Sequence, residues 1–260
     1  KWLGAARAAD ERARQLGGKP VALSFRNTDA VRTVELRGYE YTREPSAVSG
    51  QPWIRYDSTR PTVWRLPLRY AVQPALAVTA PATGYFVPSA HAAWMSEKLA
   101  LHGVEFQRVI APQPASAVQT FRADRTTTAA ETFEGRSLMT VDGAWRDETR
   151  NIGPGALFVP IAQPKARLVM SLLEPQAPDS FVSWGYFSAA FERKEYMENY
   201  VTETVARQML SQDAVLKAEF ERRLRDDAAF AGNPDARLEF FYRRHPSWDE
   251  RYGLYPVYRK

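Results

Sequence analysis

The chain has 260 residues, 45% of them hydrophobic, which is enough for one large core or two ordinary ones and too apolar for a disordered chain. It has no cysteine, so thiol nucleophiles, thiolate metal sites and disulfides are excluded. The formal charge of +5 is spread over intermixed acidic and basic residues, as from Glu219 to Asp227, with no basic run to mark a nucleic-acid face, and no apolar stretch approaches the ~20 residues of a membrane span.

Residues 1–17 are expected to form a helix, because Trp2, Ala5, Ala6, Ala9, Ala13 and Leu16 recur near helical spacing and Gly17-Gly18 closes it. The chain starts at Lys1, mid-pattern and without Met, which reads as a processed chain or a piece of a longer one. From Val21 to Val78 the pattern becomes strand-like. Val31 to Tyr41 alternates in part and is rich in β-branched and aromatic residues, and Pro45, Gly50, Pro52, Pro61, Pro67 and Pro74 punctuate the rest. This predicts a strand-rich, antiparallel layer, with residues 1–80 as one domain and 81–260 as a second.

The second domain opens on Gly84 to Pro88, a short buried strand, followed by Ser89 as a helix N-cap and a helix over His91–Leu101 that turns Trp94, Met95 and Leu99 inward. Val104 to Ile110 resumes as a strand, which makes a β-α-β unit and predicts a partly parallel sheet. Val118 to Val141 reads as strands with a tight turn at Glu134-Gly135. Ala156 to Pro160 repeats the Val-Pro strand ending of Tyr85 to Pro88, and a helix follows over Pro164–Leu173. The last third is helical, with a helix over Ala190–Leu210, another capped by Asp213 with Leu216, Phe220 and Leu224 inward, and one opened by Asn233-Pro234. The apolar tail Tyr252 to Tyr258 is expected to dock on the body. The expected class is therefore α/β or α+β: a strand-rich N-terminal layer, then β-α-β units with a partly parallel sheet, then a helical C-terminal segment.

The stiffest segment is Leu172 to Phe187. Pro175 and Pro178 fix the backbone between Glu174 and Asp179, so these carboxylates make the best acid/base pair in the chain, with capping and surface pairing as the alternative fates. His102-Gly103-Val104-Glu105 has the His-x-x-Glu spacing of a zinc half-site, and His245 lies far downstream as a third ligand; against this, Gly103 makes His102 a helix-end residue. His245 is expected to be ordered by Asp249. The chain contains no Gly-x-Ser-x-Gly elbow, no Gly-x-Gly-x-x-Gly and no phosphate loop. Trp184 and Trp248, with the aromatic residues around them, supply either core or a peptide or glycan platform.

Several longer motifs carry a family resemblance. Gly84 to Pro88, Leu101 to Glu105, Gly155 to Pro164, Leu172 through Gly185, Phe191 to Met197 and Arg244 to Glu250 resemble the region that follows the peptidase domain in bacterial zinc carboxypeptidases of the carboxypeptidase A superfamily. The family's His-x-x-Glu, later His and catalytic Glu belong to the upstream domain, and none of them maps onto this chain. The resemblance therefore implies no catalytic residue here and no cofactor in this chain, with zinc in the parent peptidase domain. It also implies that domain as partner, a secreted or periplasmic location, and an accessory role in supporting the peptidase domain or presenting peptide substrate. The candidate contact surface is Glu174, Asp179, Trp184, His245, Trp248 and Asp249. An independent peptide- or glycan-binding module is the alternative, and a hydrolase in its own right is a third, which requires His102, Glu105 and His245, or Glu174 and Asp179, to converge in one cleft.

Overall fold

The structure, a computed structural model, describes residues 1–260. The fold is mixed α+β, with antiparallel sheets and eight helices. Two compact units divide the chain: residues 18–80 form one, and residues 1–17 join 81–260 in the other. The first helix, α1 (Trp2–Arg14), thus groups with the larger unit rather than with the strands that follow it, and none of its residues is buried.

The smaller unit holds β1 (Pro20–Asn27), β2 (Val31–Pro45), β3 (Pro52–Arg69) and β4 (Val72–Thr79), paired as two separate antiparallel ribbons, β1 with β4 and β2 with β3. Side chains alternate along a strand, so the register assigns the faces of the β2–β3 ribbon. Leu36 lies opposite Trp64, and a register shift between Tyr39 and Glu40 then sets Tyr41 opposite Tyr56. The shift reverses parity along β2. Val34, Leu36 and Tyr41 therefore share one face with Ile54, Tyr56, Trp64, Leu66 and Leu68, and the ring contacts Tyr41–Trp64 and Tyr56–Trp64 span the shift. Gly38 is required there, because the Trp64 ring lies 2.5 Å from where a Cβ would sit. The opposite face carries the ion pairs Glu35–Arg65 and Glu44–Arg55 together with the exposed apolar side chains of Val31, Tyr39, Trp53 and Val63.

The larger unit continues with β5 (Gly84–Val87), α2 (Ser89–Leu101), β6 (Gln107–Arg108), β7 (Gln113–Phe133), β8 (Arg136–Ile152) and β9 (Leu157–Pro160). Then come α3 (Ala166–Leu173), α4 (Ser188–Phe191), α5 (Asn199–Gln212), α6 (Ala214–Asp226), α7 (Ala228–Ala231), α8 (Pro234–Tyr242) and β10 (Leu254–Arg259). The sheet order is β6-β9-β5-β10-β7-β8, and every pairing is antiparallel. This corrects the expected partly parallel sheet. β5, α2 and β6 follow one another as foreseen, but β9 inserts between the two strands and pairs antiparallel with both. The two Val-Pro strands of the sequence are thus neighbours. β7 and β8 form a long hairpin turning on Glu134 and Gly135, both at positive φ (48° and 74°), as a two-residue hairpin turn requires. The tail becomes β10, held between β5 and β7 in mid-sheet.

Three local expectations are revised. Ser89 is the first residue of α2 rather than its cap; Pro88 holds the cap position, with no side-chain hydrogen bond. Val104 to Ile110 yields only the two-residue β6. The helix expected over Ala190–Leu210 is broken between α4 and α5, because the Ala190 carbonyl accepts from Gly253 N–H (3.0 Å) instead of propagating the helix. Asp213 and Asn233 do cap α6 and α8, and α5 to α8 enclose Phe220, Phe230, Phe240 and Phe241.

The two units differ in what they bury. The larger contains nearly the whole apolar core, while in residues 18–80 only Val21 and Ala80 are buried. Two-stranded ribbons without a packed face are marginal in water. Backbone amides of β2 and β3 should therefore exchange with deuterium orders of magnitude faster than those of β5, β9 and β10, measured by hydrogen exchange on the isolated chain; equal protection would show that the ribbon is stable unaided.

Candidate functional site

α3 carries Val169, Met170, Leu172 and Leu173 into the core and ends on Glu174, whose extended backbone (φ −80°, ψ 118°) leads into Pro175. The Glu174 side chain points inward and is 1% exposed. Arg259 of β10 grips it with two N–H groups: Nε donates to Oε1 at 2.9 Å, and Nη2 donates to Oε2. Tyr85 of β5 donates its hydroxyl to Oε1 at 2.5 Å. Tyr255 donates to the carbonyl of Leu173 at 3.0 Å, and the Trp145 ring lies 4.1 Å from the Arg259 guanidinium carbon. Burial, followed by the nearby Glu174 carboxylate, raises the Tyr85 phenol well above its ordinary value, and the same causes act on Tyr255. Both carboxylate oxygens are engaged by protein, so this cluster is a lock on the fold.

Asp179 lies at the surface and accepts from Trp184 Nε1 at 3.4 Å. The expected acid/base pair is therefore split, one carboxylate sealed inside and the other solvated. Buried Ser180 organises the turn between them: its hydroxyl donates to the Pro175 carbonyl (3.2 Å) and accepts from Ser183 N–H (3.0 Å). Trp184 is half-buried and leans on Phe133, beside the β7–β8 turn.

His102 and Glu105 have local structural partners. His102 is the C-cap of α2, and its carbonyl accepts from Lys165 Nζ. Glu105 is exposed, while its backbone is clamped by Gln163, which accepts its N–H at 2.8 Å and donates to its carbonyl at 3.0 Å. Gln163 is fully buried and also donates to the Pro160 carbonyl (2.7 Å); sequence reasoning passed over it, although an amide between two prolines at a strand-to-helix junction is a natural satisfier of backbone groups. His245 is ordered by Ser247 (Nδ1 to Oγ, 2.7 Å) rather than by Asp249, which accepts from the N–H and side chain of Arg251. Those bonds, the backbone one first, hold the Asp249 carboxyl below its usual range. No three His, Cys, Asp or Glu side chains, His102, Glu105 and His245 included, are grouped so as to hold a metal ion.

The six residues expected to form a contact surface therefore have different fates. Glu174 is interior. Trp248 is half-buried between Tyr242 and Tyr252 at 5.0 and 5.8 Å, with Arg193 and Arg243 over its ring. The feature sequence reasoning missed is the apolar face of the β2–β3 ribbon, where Leu36, Ile54 and Tyr56 are 50%, 41% and 55% exposed. Its signal was present but broken: Val31 and Tyr39 lie on the opposite face from Val34 and Leu36, and the parity reversal after Tyr39 then brings Tyr41 onto the face of Leu36, so Val31 to Tyr41 alternates only in part. No family model, curated protein or solved structure matches the chain.

Two predictions follow from the buried cluster. Glu174→Gln strips the partner from a buried guanidinium and should destabilise the protein by about 3–5 kcal/mol in urea denaturation. The raised phenols mean that the folded state retains protons that the unfolded chain releases near its ordinary value of 10.0. Their stabilisation is complete below about pH 10 and is lost as pH rises through the folded-state values. The urea midpoint should fall steeply above about pH 10, and Tyr85→Phe should flatten that slope.

Proposed function

We propose that this chain is a non-catalytic accessory region of a zinc metallocarboxypeptidase-like protein, and that it holds to a peptidase domain by an apolar face. The observation that carries the reading is the β2–β3 ribbon. One of its faces is lined by Val34, Leu36, Tyr41, Ile54, Tyr56, Trp64, Leu66 and Leu68, the other mixes ion pairs with exposed Val31, Tyr39, Trp53 and Val63, and the unit they belong to buries only Val21 and Ala80 of its own. Antiparallel sheets with a face this apolar normally pack it on something. The engagement of Glu174 by Arg259 and Tyr85 also favours a supporting role over a catalytic one for the most constrained carboxylate.

A glycan platform is the weaker reading of the same face. The rings of Tyr41, Tyr56 and Trp64 meet at 57°, 90° and 38°, so they do not present one flat surface for a sugar ring. On the accessory reading zinc and peptide chemistry belong to the peptidase domain, and the protein works in the periplasm or outside the cell.

Isothermal titration with a metallocarboxypeptidase catalytic domain from the same source tests the reading. Saturable binding is expected, and Leu36→Glu on the ribbon should weaken it at least about tenfold, the effect of losing roughly 1.4 kcal/mol. The chain alone, supplied with zinc, should release no C-terminal amino acid from peptides. Absence of binding, or turnover by the isolated chain, would overturn the proposal.

A further inference from the structure

Four arginines converge on one cleft of the larger unit, and a backbone irregularity brings two of them together. On β7, Arg122 and Arg125 are three residues apart and would face opposite sides of a regular strand. The ladder with β8 shifts between Ala123 and Arg125, with Asp124 as the extra residue, so Arg122 lies opposite Ala144 and Arg125 opposite Asp142. Both side chains then share the face that carries Arg146, whose partner is Thr120. Bulges of this kind re-aim side chains and are frequent at binding sites. Gly143 makes this one possible, because a Cβ there would meet the Arg122 carbonyl oxygen at 2.1 Å.

The cleft holds about 270 Å³, and Arg243 and Trp248 complete its wall. Of its charged lining residues, four are guanidinium groups and one is a carboxylate, Asp124. Each arginine has an acidic neighbour, but the partners of three of them, Glu148, Asp142 and Glu239, do not line the cleft. Arg146 reaches Asp124 only at 3.9 Å, beyond hydrogen-bonding distance. Arg125 gives Nε and Nη2 to Asp142, which leaves Nη1. A guanidinium has five N–H donors in a fork that matches carboxylate and phosphate oxygens, so the pairs seen here leave donors over.

We propose that this cleft binds a polyvalent oxyanion, a phosphate ester or a polycarboxylate, between Arg122, Arg125, Arg146 and Arg243. The site goes beyond the accessory reading and does not depend on it. Calorimetric titration of the whole chain at low salt with inorganic phosphate, citrate and acetate tests it. Phosphate or citrate should bind saturably at one site, more tightly than acetate; the stronger of the two identifies the ligand as phosphate-like or carboxylate-like. Arg125→Gln and Arg146→Gln alter exposed side chains and should leave the melting curve nearly unchanged while each weakens that binding about tenfold. Arg108→Gln, an exposed charge on β6 outside the cleft, should leave it unchanged. The proposal is overturned if neither polyvalent anion binds saturably, if acetate binds as well as they do, if Arg125→Gln and Arg146→Gln have no effect, or if Arg108→Gln weakens binding equally.

Discussion

The larger unit depends on a single buried charge pair. Glu174 closes α3, Arg259 closes β10 and Tyr85 lies in β5, so one carboxylate ties together segments 85 and 89 residues apart in the chain. Removing two charges from water is expensive, and their mutual attraction offsets that cost only when the remaining donors and acceptors are satisfied. Here they are: two guanidinium N–H groups and a phenol complete the carboxylate, while the Trp145 ring covers the guanidinium. The pair also chooses among arrangements. β10 enters the sheet between β5 and β7 with Arg259 buried, and a register slip by one residue would turn that charge to the other face and leave Glu174 alone inside.

Much of this was legible in the sequence, for identifiable reasons. Asp213, Asn233-Pro234 and Glu134-Gly135 are local signals whose chemistry does not depend on distant residues, and each sits where its residue types predict. The docking of the tail followed from its apolar composition. What failed needed long-range information. The parallel pairing of β5 with β6 was reasonable for a β-α-β order, but β9, some fifty residues downstream, takes the place between them. The helix expected through Ala190 has adequate residues yet stops, because Gly253 claims a carbonyl from across the fold.

The candidate site was less legible than the fold. Glu174 was singled out for its rigidity, which is real, but no sequence pattern could say that Arg259 and Tyr85 fill its hydrogen-bonding capacity. His102-x-x-Glu105 imitates a zinc spacing while Gln163 and Lys165 hold it as a loop. Two β-irregularities hid which side chains share a face. The shift after Tyr39 conceals that Tyr41 joins the face of Leu36, and the bulge at Asp124 conceals that Arg122 and Arg125 share a face. Period-two reading assumes a regular strand, so it fails where a strand is bent.

The larger unit is tied together by this buried cluster, and the smaller exposes an apolar face. The most direct test of the lock is a double-mutant cycle on Glu174→Gln and Arg259→Met, read by chemical denaturation. If the pair organises the fold, the two single changes together cost more than the double change, with a coupling toward the upper end of the ~0.5–3 kcal/mol found for contacting residues. Costs that add to within about 0.5 kcal/mol would mean that the two groups act independently, and that something other than this charge pair holds β10 in the sheet.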